Sequence, residues 1–261
     1  MSPRGGAARA EPVVVAGLGL IGGSLAHDLS RRGFEVIGVD RPAVLRAARR
    51  SGVIALGTAA LERAVARAEL VVLAAPPRVN RRWLVRLAGL RRPELVVTDT
   101  GSVKGGIVSD AVRLGLSGFV GGHPMAGGER GGFGSARAGL FAGRPWLLTP
   151  TGGTDAHALR RVRALVRSVG ARPASLGAAE HDRALAFLSH LPQLVAWALH
   201  AAAQRDPVAR RYLAVAGPGF HDMTRLARSP RGLWREILAE NARDVRRALR
   251  ALARELRVIG S

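Results

Sequence analysis

Apolar residues show two textures along the 261-residue chain. Up to about residue 176 they gather in short runs closed by Gly, Pro or Asp, at 13–16, 35–39, 70–75 and 95–98, with further short runs at 119–120, 146–149 and 171–175. Short apolar runs of this kind read as buried strands of a parallel sheet. Between them, apolar positions recur at helical spacing over 22–32, 43–50, 61–68, from beyond Lys104 to about 114, and over 155–169. Strands alternating with helices predict βαβ units. Beyond Gly177 strand signals vanish. Helical periodicity fills 180–204, 208–214 and 232–256, with Gly217-Pro218-Gly219 as a break. The pattern predicts an α/β domain over 12–176, an all-helical domain over 177–261, and a disordered tail over 1–11. Long amphipathic helices in so small a domain leave apolar faces for a second copy to cover, so a homodimer through this domain is expected.

Composition narrows the class. Hydrophobic residues make up 48% of the chain, enough for a sizeable core. The apolar runs are short and broken by Arg or Gly, so no membrane span is expected, and residues 1–10 are too polar for a secretory leader. A cytoplasmic protein is expected. The absence of cysteine excludes disulfides and thiolate metal sites, and the seven histidines lack zinc spacing, so no metal is expected. Forty basic residues against nineteen acidic ones give a formal charge of +21. That charge is spread along the whole chain, and aromatics are only 4%, too few for base-stacking platforms. Neither a nucleic-acid nor a membrane partner is expected. The net field draws in small anions such as a dinucleotide or a dicarboxylate. Lys104 is the single lysine.

Gly17, Gly19 and Gly22 form Gly-x-Gly-x-x-Gly directly after a strand and at the opening of a helix. The first glycine makes the tight turn, the second admits a pyrophosphate to the backbone, and the third allows close helix–strand packing. This is the Rossmann-type dinucleotide loop, and it assigns Gly17, Leu18, Gly19, Leu20, Ile21 and Gly22 to the cofactor. Asp40 closes the second strand, where an acid meets the ribose hydroxyls and repels a 2′-phosphate, so NAD is favoured. Arg41 beside it keeps NADP open.

In open α/β sheets ligands bind beyond the carboxyl ends of the strands. Three segments fall there: Ala75-Pro76, 99–104 and 121–129. The last reads Gly-Gly-His-Pro-Met-Ala-Gly-Gly-Glu. Its small residues let backbone and ligand approach, and an imidazole titrates near working pH, so His123 is the candidate base. Ser102 orients the imidazole or a substrate hydroxyl, or caps the following helix. Lys104 either reaches an anion or packs on the surface. Further on, His190, Gln193 and Trp197 lie three and four residues apart on one helix face. His181-Asp182 reads as a charged first turn and Trp234 as helical core.

Taken together, Gly-Leu-Gly-Leu-Ile-Gly-Gly-Ser (17–24), Thr-Asp-Thr-Gly-Ser-Val-Lys (98–104), Gly-Gly-His-Pro-Met-Ala-Gly (121–127), Ser-His-Leu-Pro (189–192) and Asp-Met-Thr-Arg (222–225) resemble the prephenate/arogenate dehydrogenase family. The likeness runs from about residue 12 to 256 in the family's order. It implies a nucleotide domain followed by a helical dimerisation domain. The implied activity is NAD(P)-dependent oxidative decarboxylation of prephenate to 4-hydroxyphenylpyruvate in tyrosine biosynthesis. The same reaction on arogenate or on 4-amino-4-deoxyprephenate stays open. The resemblance also implies that His123 takes the ring hydroxyl proton, that Arg225 holds the ring carboxylate, that Glu129 pairs with that arginine, and that His190 and position 193 meet the substrate side chain. Many family members have Ser-His-Leu-Pro-His, where this chain has Gln193. A β-hydroxyacid or imine dehydrogenase of the same two-domain plan would need a lysine on a helix of the second domain, and none is present there. A non-catalytic nucleotide-binding protein is the remaining alternative.

Overall fold

The computed structural model describes residues 12–128 and 130–260; the expected tail over 1–11 and Glu129 lie outside them. The chain divides at Gly177 into two compact units.

The first unit alternates strand and helix: β1 (Val13–Ala16), α1 (Leu20–Arg31), β2 (Val36–Val39), α2 (Pro42–Arg50), β3 (Leu56–Thr58), α3 (Leu61–Val65), β4 (Leu70–Leu73), α4 (Pro77–Gly89), β5 (Val96–Asp99), α5 (Gly105–Arg113), β6 (Phe119–Pro124), β7 (Pro145–Thr149), α6 (Ala156–Ser168) and β8 (Arg172–Ser175). They form one sheet in the order β3-β2-β1-β4-β5-β6-β7-β8. All neighbours are parallel except β6 and β7, so the α/β reading with a Rossmann-type sheet holds. Val13–Ala16 and Leu70–Leu73 are buried at every position, as central strands covered on both faces must be. Edge strand β3 was not expected, because Leu56-Gly57-Thr58 has too few apolar residues to signal one. β6 runs through Pro124, longer than the expected two-residue strand, so His123 stands in the ladder opposite Leu147.

The sharp turn between β1 and α1 depends on two glycines. Gly17 has φ +94°, and a Cβ there would lie 2.7 Å from the Ala74 backbone. A Cβ on Gly22 would lie 1.8 Å from the Gly17 carbonyl oxygen. The helix therefore sits directly on the turn. On the other side of α1, the 131–144 segment is tied down. Buried Ser24 accepts a hydrogen bond from Arg137 N (3.0 Å), and buried Asp28 accepts one from Gly139 N (2.8 Å).

The second unit is all helical: α7 (Ala178–Leu185), α8 (Leu191–Arg205), α9 (Pro207–Arg211), α10 (Pro218–Thr224), α11 (Arg231–Glu240) and α12 (Ala242–Ile259). A π turn over Ala186–His190 joins α7 to α8. It lies just before Pro192, which lacks an N–H and whose ring crowds the carbonyl four residues back; a widened turn relieves both faults. Two expectations are corrected here. The periodic stretch 232–256 is two helices broken at Asn241, whose backbone lies outside the helical region at φ −112°, ψ 27°. The helix Ala178–Arg205 is long and apolar enough to cross a bilayer by length and composition, against the expectation of no such segment. Within its own unit it packs on α12, with Ala186, Leu191 and Leu194 clustered against Val245 and Ala248.

Gly22→Ala is expected to destabilise the protein by about 1–3 kcal/mol through overpacking. Gly19, with open space in the Cβ direction, should tolerate alanine to within about 0.5 kcal/mol. Denaturant midpoints measure both, and equal midpoints would contradict this account of the turn.

Candidate active site

The dinucleotide end lies at the carboxyl ends of β1, β2 and β4. Gly19 is the N-cap of α1, and nothing lies within 4 Å of the Cβ it lacks, so this helix N-terminus is open to a pyrophosphate. Asp40 is fixed by two backbone donors, Leu18 N to Oδ2 and Arg41 N to Oδ1, each at 2.7 Å. Leu18 and Leu20 are buried, while the Arg41 side chain is 87% exposed, with Nε 3.9 Å from Asp40 Oδ1. A carboxylate held in this way fits a ribose diol. At Ala75-Pro76 the turn is shaped by Asn80, which the sequence reading missed. Its Oδ1 accepts from Ala75 N (3.0 Å) and its Nδ2 donates to the Leu73 carbonyl (3.2 Å). Asn80 is 1% exposed on an otherwise ordinary helix pattern, and no motif singles it out.

At the ends of β5 and β6 the structure builds a buried ionic staple. Lys104 Nζ forms a salt bridge with Asp99 Oδ2, and the two side chains are 0% and 1% exposed. The ammonium also donates to the Gly122 carbonyl (2.8 Å). Asp99 in turn accepts from Gly122 N through Oδ1 (3.0 Å) and from Gly101 N through Oδ2 (2.8 Å). The residue before His123 is thus held on both its N–H and its C=O. Both earlier readings of Lys104, an anion-reaching side chain or a surface one, are corrected: the anion it meets is Asp99, and it is wholly buried. The glycines of the motif allow close packing on two sides of β6, against Asp99 at Gly122 and against Thr149 at Gly121. A Cβ on Gly122 would lie 2.5 Å from the Asp99 carbonyl oxygen, and one on Gly121 2.3 Å from Thr149 Oγ1, so they admit the chain's own backbone and side chains as neighbours. His123 is buried at 8% exposure. Ser102 is half-buried in the turn that Asp99 organises. It does not cap α5, whose N-cap is Lys104, without a side-chain cap bond.

In the second unit, His190 lies in the π turn and is 0% exposed. Its Nδ1 lies 3.1 Å from Asn241 Nδ2, which also donates to the Asp182 carbonyl (2.7 Å). Burial pushes the His190 pKa down to about 4, against a smaller opposing pull from Asp182, so the ring is neutral near pH 7. Gln193 is equally buried, and its Nε2 donates to the Leu226 carbonyl (2.7 Å). Trp197 Nε1 donates to Ala227 O (3.2 Å). These two residues therefore hold the 3₁₀ turn Arg225–Arg228 that presents the exposed Arg225. Trp234 is half-buried and meets both His190 and Trp197 edge to face. His181 and Asp182, expected in a charged first turn, are buried and paired, with Nδ1 to Oδ1 at 2.8 Å. Among the described residues no group of three or more His, Asp or Glu side chains could hold a metal ion.

Known proteins match both units of the chain. A family model described as the nucleotide-binding domain of prephenate dehydrogenase matches residues 25–174, and one described as its dimerization domain matches 177–260. Prephenate dehydrogenase of Bacillus subtilis is 35% identical over 88% of this chain, which spans 64% of that relative's length. The crystal structure of prephenate dehydrogenase from A. aeolicus with hydroxyphenyl propionate and NAD+ superposes with a TM-score of 0.88 at 33% identity, covering 95% of this chain and 88% of that one. Synechocystis arogenate dehydrogenase gives 0.81 at 32% identity, covering 94% and 89%.

Lys104→Met strips a buried carboxylate of its counter-charge and is expected to destabilise the fold by about 3–5 kcal/mol. Adding Asp99→Asn should recover part of that loss, because the remaining side chain is neutral. Denaturant unfolding checks both. An unchanged midpoint for Lys104→Met would overturn the staple.

Proposed function

The chain belongs to the prephenate dehydrogenase family, and on that premise we propose that it oxidatively decarboxylates prephenate to 4-hydroxyphenylpyruvate with NAD. The observation that carries this reading is the position of His123. It is a buried imidazole at the carboxyl end of the sheet whose β1 end bears the dinucleotide loop, and the staple beside it fixes its backbone. NAD, when bound, supplies the hydride acceptor. The residues that hold it are Gly17–Gly22, Asp40 and the Ala75-Pro76 turn, with Asp40 favouring NAD over NADP.

Proton and charge handling fall to side chains of this chain. His123 accepts the proton of the ring hydroxyl as the carbinol C–H bond gives up its electron pair as hydride. Ser102 orients that hydroxyl. The ring carboxylate leaves as carbon dioxide, the electrons of the broken C–C bond complete the aromatic ring and place charge on the ring oxygen, and that oxygen takes back the proton held by His123 to give the phenol. Until then the carboxylate must stay ionised and held, which suits the planar guanidinium of Arg225. In this reading Gln193 contributes through the turn that carries Arg225. The protein acts as a soluble, cytoplasmic homodimer. Among the described residues, twelve of the fourteen exposed large hydrophobics lie beyond Gly177, including Leu188, Val215, Leu256 and Ile259, which supports a second copy covering that unit.

Turnover on prephenate, arogenate and 4-amino-4-deoxyprephenate, each with NAD and with NADP, tests the reading. The expected result is the highest kcat/KM for prephenate with NAD. Preference for an amino substrate or for NADP would reassign that part, and no turnover on any of the three would refute the activity. His123→Asn is expected to keep NAD affinity and lose roughly 10²–10⁴-fold in kcat. Near wild-type rates in that variant would remove His123 from its role.

A further inference from the structure

We propose that Asn241 is a positioning residue that fixes His190 in its Nε2–H tautomer, making His190 a hydrogen-bond donor to a carbonyl or carboxylate oxygen of the substrate. The substrate part rests on the reading above; the tautomer part does not.

What each atom can donate or accept fixes the arrangement. The Asp182 carbonyl oxygen only accepts, so the Asn241 group 2.7 Å from it must be the NH₂ end. The same NH₂ lies 3.1 Å from His190 Nδ1 and has a second hydrogen to give. Nδ1 therefore accepts, and the proton of the neutral ring sits on Nε2. That Nε2 is buried and has no hydrogen-bond partner among the described residues. A buried donor without an acceptor is costly, and such groups are exceptional in folded proteins. Trp234, with its ring plane at 83° to the imidazole and centroids 6.0 Å apart, limits how the ring can turn. The depressed pKa of His190 keeps the ring neutral at working pH, so what it offers is a directed donor with no net charge.

The backbone around Asn241 points the same way. Asn241 is the N-cap of α12, a position where an Asn side chain ordinarily accepts from the first turn of its own helix. No such bond forms here. The side chain is turned instead toward His190 and Asp182, and its backbone break separates α11 from α12. The carboxylate of Asp182 is engaged by His181 Nδ1.

The test uses full-length protein carrying ¹⁵N-labelled histidine. Long-range ¹H–¹⁵N correlation near pH 7.5 reads the tautomer, with the His190 signals identified by their loss in His190→Gln. The expected wild-type pattern is a protonated Nε2 and an unprotonated Nδ1; a proton on Nδ1 overturns the assignment without recourse to any variant. Hydroxyphenyl propionate is then added, and the Nε2–H resonance is expected to shift. An unmoved resonance overturns the substrate contact. In Asn241→Asp a carboxylate faces Nδ1 and draws the proton there. This variant should reverse the pattern or protonate both nitrogens, and raise KM for prephenate about 5–100-fold, the range for one lost hydrogen bond, with KM for NAD unchanged. An unchanged tautomer and KM in a folded Asn241→Asp protein would also overturn the proposal. An Nε2–H ring in a protein without dehydrogenase turnover would refute the proposed function and leave the role of Asn241 toward His190 standing.

Discussion

The geometry of the candidate site rests on one buried ion pair. A lysine and an aspartate, both removed from water, are held together where β5 ends beside β6. Desolvating two charges is unfavourable, and the pair persists because hydrogen bonds satisfy the atoms that remain: two backbone N–H groups on Asp99 and the Gly122 carbonyl on Lys104. Those partners are the backbone of the turn bearing Ser102 and of the strand bearing His123. A parallel pair such as β5–β6 has no hairpin to set the relative height of its ends. Here a side-chain pair sets it. The exclusion of a Cβ atom at Gly122 follows, since a larger residue would push β6 away from the aspartate it must reach.

A lysine at this position is explicable in a chain whose other cations are arginine. The site is wholly enclosed and must place one ammonium between a carboxylate oxygen and a carbonyl oxygen. A compact ammonium with three rotatable donors on a flexible stem does that. A planar guanidinium would bring five N–H groups into a space with few acceptors, leaving donors unmet in the interior. Arginine serves elsewhere, on the surface and at Arg225, where a planar fork has room. The compositional bias of the chain thus stops where packing forbids it.

Much of the first unit was legible in the sequence, because its signals are local. A buried parallel strand is a short apolar run, the β1–α1 turn needs glycine at Gly17 and Gly22, and the acid after β2 falls at a fixed place. What was not legible depends on contacts, near or far in sequence, that form only in the folded backbone. That His123 belongs to a strand and not to a loop follows from β7, which pairs antiparallel with it and so prolongs β6. Lys104 looked like a surface or ligand-facing cation because its partner, Asp99, is visible only once β5 and α5 are folded. Asn80 and Asn241 sit in helical periodicity that gives no sign of them. At Asn241 the apolar spacing runs on across the break, so the pattern reads as one helix where the backbone makes two.

The second unit shows why polar residues inside helices resist such reading. Periodicity reports which face is buried, and it treats a buried histidine or glutamine as a fault in the apolar stripe. His190, Gln193 and Trp197 do share a buried or half-buried face, as their spacing implies, yet their work differs. Gln193 and Trp197 use N–H groups to hold the carbonyls of one short turn. His190 has its Nδ1 engaged by Asn241. The replacement of histidine by glutamine at position 193 is physically coherent in that setting, because an amide can donate to a carbonyl while its oxygen still faces elsewhere. An imidazole of fixed tautomer offers one donor and one acceptor on a rigid ring, and would have to reach Leu226 from a different angle. The identity of residue 193 is thus coupled to how the Arg225 turn is held, and a substitution there acts on the arginine as well as on whatever position 193 itself touches.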